Sequence, residues 1–137
     1  MNRNSQGLIV DCSFIMSILL PDEESERSQG ILQSGRYMLV VPLVWFIEVG
    51  NVLVTAVRKK RISPEIQSLL VTGIKKIDIN IDKHECSIER IISLATDYNL
   101  SAYDAVYLDL ALRTGFPLAT HDRDLKTAAL KAGVAVV

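Results

Sequence analysis

Residues 8–11 read LIVD, a short apolar run that ends in an aspartate. Four other short apolar runs follow along the chain, at 37–41, 74–79, 117–120 and 134–137. We interpret these runs as strands, because they are brief, apolar and bounded by polar residues. The stretches between them have helical spacing and predict helices at about 13–20, 22–34, 43–60, 63–73, 82–98, 102–114 and 123–132.

This alternation decides the fold class. Strands separated by helices imply βαβ crossovers, which produce parallel pairing. The sequence therefore predicts an α/β fold: a single domain over residues 1–137, with a central, mostly parallel sheet of about five strands and helices on both faces.

The composition is that of a globular protein. The chain has 137 residues, 49% of them hydrophobic and 23% charged, which is enough to bury one core. The formal net charge of -1 predicts neither a nucleic-acid partner nor a membrane surface, so any binding field must be local. Cys12 and Cys86 lack the spacing of a disulfide or zinc set. With no signal peptide and no apolar run of about 20 residues, we expect a cytoplasmic protein.

Residues 100–112 read LSAYDAVYLDLAL, a mostly apolar helix that carries two aspartates. Asp109 precedes Arg113 by one turn, which predicts an ordinary surface ion pair. Asp104 instead aligns with Leu108 near the apolar stripe that should meet the core. A carboxylate in that position is unfavourable unless something compensates its charge.

Two further acids follow predicted strands. Asp11 ends the first strand and Asp122 follows the fourth, so both lie at the carboxyl edge of the sheet, where α/β folds bind ligands. Each has an ordinary alternative role as a helix cap, Asp11 for the helix that begins near Ser13 and Asp122 for the helix that begins at Arg123.

Glu48 is the fourth candidate acid. It shares a helical face with Asn51, Thr55 and Arg58, which is equally the pattern of a solvated polar face. The neighbouring Trp45 is expected in the core together with Phe46.

Taken together, Asp11, Glu48, Asp104 and Asp122 predict a cation site. Several carboxylates in one pocket repel each other, and a hard divalent cation relieves that repulsion. Oxygen ligands favour Mg²⁺, with Mn²⁺ able to substitute, and no histidine or cysteine cluster favours zinc. A carboxylate site with divalent cations is typical equipment for phosphodiester hydrolysis.

Four segments then indicate a family: LIVDCS (8–13), EVGNVL (48–53), LSAYDAVYLDLA (100–111) and LATHDRDL (118–125). In this order they resemble the PIN-domain nucleases, and most closely the VapC-like ribonuclease toxins of toxin–antitoxin pairs. The resemblance covers nearly the whole chain. It implies that the catalytic and metal-binding acids are Asp11, Glu48, Asp104 and Asp122. It also implies that Ser13 supplies a hydroxyl near substrate or ligand and that Asp124 is an additional acid near the site.

The resemblance also implies the activity and the partners. We expect an endoribonuclease that uses Mg²⁺, an RNA substrate, a small antitoxin protein that binds the domain, a homodimer and no membrane. The basic run at 58–61 either holds RNA phosphates or is a solvated helix end with favourable dipole charge. The RNA cleaved, the antitoxin and the number of metal ions stay open at this point.

Other readings fit less well. A hydrolase with an aspartyl nucleophile would need a second aspartate at position 13, which is serine. A receiver domain would need paired acids after the first strand and a lysine after a late strand, and this sequence has neither. The serious alternative is a non-catalytic PIN-like module that binds RNA or protein, but such a binder has no need for four mutually repelling carboxylates.

Overall fold

The computed structural model describes residues 5–20, 22 and 25–137. In chain order these residues form β1 (Gln6–Val10), α1 (Cys12–Leu19), α2 (Glu26–Gln33), β2 (Tyr37–Pro42), α3 (Val44–Arg58), α4 (Pro64–Lys75), β3 (Ile79–Asp82), α5 (Ile88–Tyr98), α6 (Ala102–Thr114), β4 (Leu118–Ala119) and α7 (Arg123–Lys131). The strands form one sheet in the order β3-β2-β1-β4, and every pair is parallel. The predicted α/β class is confirmed.

The sheet differs from the prediction in two places. The run at 74–79 was expected to be a strand, but α4 continues to Lys75 and β3 begins only at Ile79. The run at 134–137 contributes a single bridge, from Val136 to Leu118, so the described chain has four strands. Isoleucines at helical spacing pack partly against the core from the end of α4 and the turn after it, and an apolar run does not distinguish that arrangement from a strand.

Each predicted helix is present, and the two that start late have serine caps. The helix predicted from 22 begins at Glu26, where the Ser25 side chain accepts a hydrogen bond from the Ser28 amide. Residues 23 and 24 of that predicted helix, and residues 1–4 of the predicted domain, lie outside the described residues. The helix predicted from 82 begins at Ile88 behind a Ser87 cap.

The core surrounds β1. Leu8, Ile9 and Val10 are completely buried, because β1 is an interior strand covered on both faces. Trp45 is buried as expected, but Phe46 is 46% exposed and makes an edge-to-face contact with Trp45.

Asp109 is not the surface residue that the sequence predicted. It is only 3% exposed, because α5 packs against α6 and covers it. Its carboxylate accepts hydrogen bonds from Nε of Arg113 at 2.8 Å and from Nε of Arg90 at 3.1 Å. Arg113 also donates to Asp82 at 2.7 Å. Burial alone would raise the pKa of Asp109, but the two arginines outweigh it and hold the pKa below its ordinary value.

The strand order creates a natural crevice. The chain leaves β1 towards β2 and β3 on one side, and it later returns to place β4 on the other side of β1. The carboxyl ends of β1 and β4 therefore flank a topological switch point, where ligands bind in open α/β sheets. Asp11 follows β1 at this crevice, and Asp122 follows β4. None of the helices formed by the described residues has the length and apolar character needed to cross a bilayer.

Candidate active site

A cavity of about 930 Å³ opens at this switch point. All four acids singled out in the sequence line it: Asp11, Glu48, Asp104 and Asp122. Among the residues that the structure describes, no lysine or arginine lines this cavity. The remaining lining combines polar and apolar side chains, namely Cys12, Ser13, Met16, Ser17, Ile47, Asn51, Val52, Tyr103 and His121.

Asp11 is the most firmly fixed of the four. Its Oδ1 accepts hydrogen bonds from the Phe14 amide at 3.0 Å and from the Ser13 hydroxyl at 2.7 Å, and its Oδ2 accepts from Thr120 at 2.5 Å. The alternative role as the α1 cap is therefore real. The cap still leaves part of the carboxylate able to bind a ligand, because a carboxylate has about four acceptor positions. Burial raises the pKa of Asp11, and these three donors partly oppose that rise.

Thr120 joins two of the acids, and the sequence analysis did not identify it. Its hydroxyl donates to Asp11 and accepts from the amide of Asp122 at 2.9 Å. Asp122 also caps α7, because its Oδ1 accepts from the Leu125 amide at 2.9 Å. The available signal was the position of Thr120 at the end of the fourth predicted strand, two residues before Asp122.

Glu48 projects from α3 and has a partner on α6. The buried Tyr107 donates its phenolic hydrogen to Oε1 of Glu48 at 2.7 Å. Burial raises the pKa of Glu48, the hydrogen bond from Tyr107 opposes the rise, and the charge of Asp11 adds to it. Tyr107 was also missed, although its place three residues after Asp104 puts it on the same side of the helix.

Asp104 shows that the four charges act on one another. Its pKa rises to about 6, first through burial and then through repulsion from Asp122, Asp11 and Glu48. A hydrogen bond from Ser101 only partly offsets this rise. The described lining of the cavity also contains no lysine or arginine that could balance the charge of Asp104.

These donors suit a hard divalent cation. Carboxylate oxygens are the ligands that Mg²⁺ and Mn²⁺ prefer, and uncompensated negative charge favours their binding. Within the described residues, no three acidic, histidine or cysteine side chains already lie close enough to enclose an ion. Mg²⁺ usually keeps several coordinated waters and one or two carboxylates, so the spacing of repelling acids is compatible with it.

Other candidates lie apart from the cavity or at its rim. Asp124 is exposed in the first turn of α7 and is not one of the described residues that line the cavity. His121 is exposed and lines the rim. Ser13 lines the cavity, donates to Asp11 and accepts from the His121 amide at 2.8 Å. Arg61, from the basic run at 58–61, pairs with Asp22 at 2.8 Å.

Comparison with known proteins identifies the family of this chain. The model of the PIN domain family matches residues 8–131. Ribonuclease VapC3 of Pyrobaculum aerophilum is 26% identical over 120 residues, which cover 86% of this chain and 91% of that protein.

Two solved structures share the fold. The crystal structure of PAE2754 from Pyrobaculum aerophilum superposes with a TM-score of 0.70 at 20% identity, over 93% of this chain and 87% of that one. A toxin–antitoxin complex from Klebsiella pneumoniae gives a TM-score of 0.59 at 18% identity, over 85% of this chain and 88% of that one. The chain belongs to the PIN domain family, and within that family it is similar to the VapC ribonucleases.

Proposed function

We propose that this protein is a metal-dependent endoribonuclease that hydrolyses RNA phosphodiester bonds and acts as the toxin of a type II toxin–antitoxin pair in the cytoplasm. The observation that carries the proposal is the convergence of four carboxylates on one cavity, from the β1–α1 junction, α3, α6 and the β4–α7 loop. Membership of the PIN domain family and similarity to Ribonuclease VapC3 support it.

The metal ligands in this proposal are Asp11, Glu48, Asp104 and Asp122, with Mg²⁺ as the cation and Mn²⁺ as a substitute. When bound, the cation supplies a water of lowered pKa for attack and neutralises charge that develops on the phosphate. Asp11 and Asp104 are the central ligands. Glu48 and Asp122 complete the binding site or orient the attacking water.

The chain itself supplies the rigidity that this chemistry needs. Three hydrogen bonds fix Asp11, so its carboxylate does not have to reorganise when substrate binds. Tyr107 holds Oε1 of Glu48. Ser13 is anchored between Asp11 and the His121 amide, and it lines the cavity where a phosphate oxygen would lie.

A cleavage assay with added metal tests the proposal. The purified wild-type chain should cut RNA with Mg²⁺ or Mn²⁺ and should stop in EDTA, whereas Asp104→Asn should lose activity by orders of magnitude. Asp97→Asn is the matched control, because Asp97 is exposed on α5. RNA cleavage that continues unchanged in EDTA, from a clean preparation, would contradict metal dependence. RNA binding without any cleavage would support the non-catalytic alternative.

Metal binding also has a readout that does not depend on activity. A ligand that binds only the folded state stabilises it by about 2.7 kcal/mol at a hundredfold excess over its Kd. We therefore expect Mn²⁺ or Mg²⁺ to raise the Tm of the wild-type chain and to have a much smaller effect on Asp104→Asn.

A small antitoxin is the proposed partner. The fold it shares with a toxin–antitoxin complex supports this assignment, and a cluster of carboxylates attracts an arginine side chain as well as a cation. Co-expression with an adjacent small gene should relieve growth arrest and block the nuclease. Co-purification of the two products with full nuclease activity would show that the antitoxin does not act at this cavity. The homodimer stays a prediction, which light scattering on the purified chain would check.

A further inference from the structure

A second cavity lies beside the first, and its charge is opposite. It has a volume of about 190 Å³. Its polar lining consists of Arg27 from α2, Ser28, Thr120, His121 and Lys126 from α7. The other side chains that line it are apolar, those of Val136 and Val137 included, and among the described residues no aspartate or glutamate side chain contributes to it.

Among the described residues, the two cations of this basic cavity have no acidic partner. Neither Arg27 nor Lys126 forms an ion pair with a described acidic group, the carboxylate of Val137 included. They come from two different helices, so their meeting is a product of tertiary structure and not of one helix's charge pattern. Both are exposed and accessible to a ligand from solvent. Two unpaired cations at one concave site favour an anion there.

A thin wall of hydrogen-bonded side chains separates the two cavities. Ser17 lines the acidic cavity, Ser28 lines the basic one, and their hydroxyl oxygens are hydrogen-bonded at 2.9 Å. Ser28 Oγ is also 2.8 Å from Nε2 of His121, a residue that lines both cavities. Ser17 and Ser28 are 4% and 2% exposed, so the two serines of this wall are buried.

We propose that the basic cavity is a subsite for a backbone phosphate of RNA next to the one that is cleaved, with Arg27 and Lys126 as its cationic contacts. This inference rests on the proposed ribonuclease function. The acidic cavity repels an RNA strand until a cation is bound, whereas an adjacent basic site attracts the backbone directly. Phosphate contacts of this kind set the position of a strand without reading its sequence.

The location also keeps the cations out of the metal site. An arginine placed inside the acidic cavity would pair with the carboxylates and compete with Mg²⁺. Behind the wall of Ser17, Ser28 and His121, the same charge can hold the strand while the four acids stay available. His121 and Thr120 are the residues shared by the two sites, since Thr120 lines the basic cavity while its hydroxyl donates to Asp11.

The test measures binding of a single-stranded oligoribonucleotide in EDTA, where the proposed cleavage is absent. The variants are Arg27→Gln, Lys126→Gln and the double variant. Lys131→Gln is the matched control, because Lys131 is an exposed lysine in the last turn of the same helix α7. The readout is the dependence of Kd on salt concentration. Each lost phosphate contact lowers the slope of log affinity against log salt by about 0.7 for a single strand.

The proposal predicts how much the salt dependence of RNA affinity changes in each variant. Between 50 and 200 mM salt, the affinity of the double variant should fall roughly 2.6-fold less than that of the wild type, since one phosphate contact is missing. Lys131→Gln should match the wild type, and Lys126→Arg should restore the slope that Lys126→Gln loses, because it restores the charge. Equal slopes for the wild type and the double variant would overturn the proposal.

Two further measurements complete the test. One distinguishes free phosphate from RNA as the ligand of the basic cavity, and the other distinguishes failure of the nuclease proposal from failure of the phosphate subsite. If inorganic phosphate raises the Tm of the wild type but not of the double variant, while the RNA slopes are equal, the cavity binds free anions and the RNA subsite is refuted. If the wild type binds RNA with the expected slopes but cuts no RNA with Mg²⁺, the nuclease proposal fails and the phosphate site stands.

Discussion

Tyr107 donates its phenolic hydrogen to Oε1 of Glu48 over 2.7 Å, and this bond links α6 to α3 at a carboxylate that lines the acidic cavity. Tyr107 is completely buried, so its ring cannot turn away to expose the hydroxyl to water. Burial and the neighbouring Glu48 raise the pKa of Tyr107, which therefore keeps its proton and stays a donor. One carboxylate of the candidate site is thus oriented by a group outside the four acids.

Replacement of Tyr107 by phenylalanine should lower RNA cleavage about tenfold, because groups that orient metal ligands typically contribute at least this much. Stability should fall by only about 1 kcal/mol, since the ring still packs and one hydrogen bond is lost. Tyr98→Phe, on α5, is the control. Unchanged cleavage in Tyr107→Phe at saturating Mg²⁺ would show that this bond only supports the fold.

Thr120→Val should be more damaging than Thr120→Ser. Valine has nearly the same shape but removes the donor to Asp11 and the acceptor for the Asp122 amide, so both acids lose their alignment. We expect cleavage to drop by about one order of magnitude or more in Thr120→Val. Thr120→Ser keeps the hydroxyl and should retain most of the activity. Equal activities of the two variants would remove Thr120 from the site.

Asp104→Asn and Asp109→Asn should have opposite effects, although the chemistry of the two substitutions is identical. Asp104→Asn should abolish most RNA cleavage and leave the metal-free protein equally or more stable, because it removes repulsion among the four acids. Asp109→Asn should leave cleavage largely intact but destabilise the protein by about 1–3 kcal/mol, since Arg90 and Arg113 lose their buried anion. Thermal melts in EDTA and RNA cleavage rates give the two readouts. A large loss of stability in Asp104→Asn would mean that its charge is structural.

The pH dependence of these two variants should also differ in sign. The pKa of Asp104 is raised from 3.8 to about 6, so its ionised form destabilises the metal-free fold above pH 6. The stability advantage of Asp104→Asn should therefore be largest near pH 8, shrink as pH falls through 6 and vanish near 4.

The pKa of Asp109 is lowered below 3.8, so its ionised form stabilises the fold. This contribution is complete above pH 3.8 and is lost only as pH falls through the lower folded value. The stability deficit of Asp109→Asn should thus be constant from pH 8 to pH 5 and narrow below about 4. Melting curves in EDTA across this range would show both trends, and a constant gap for Asp104→Asn would contradict the repulsion that we assign to it.

The sequence was sufficient for the parts of the molecule that depend on local pattern. LIVD was recognisable as a strand because it is a short apolar run that ends at a polar residue, and the helix spacing located α1 to α7. Asp11 and Asp122 were found because each follows a predicted strand, and Asp104 because it interrupts an apolar face. Glu48 lies on a polar helical face and was identified only together with the other three and through the family resemblance. Their position around one cavity follows from the strand order, which puts the ends of β1 and β4 side by side.

The errors and omissions have a common physical cause. The pair of Asp109 with Arg113 looks the same in sequence whether it is exposed or covered, and only the packing of α5, which brings Arg90, buries it. Tyr107 and Thr120 act through partners 59 and 109 positions away. A single sequence does not encode such pairings in any local pattern, so tertiary contacts were needed to find them.

The pairing of β1 with β4 has a consequence for the order in which the molecule is made. Ile9 and Val10 align with Leu118 and Ala119, so β1 cannot gain this neighbour until the much later strand β4 has been made. Protein chains emerge from the ribosome with the N-terminal part first. A growing chain can assemble β1, β2 and β3, but its cavity lacks a wall until Thr120 and Asp122 have been added. We therefore expect the nascent chain to be harmless to the RNA of the ribosome that makes it until β4, Thr120 and Asp122 have been made and have folded against β1.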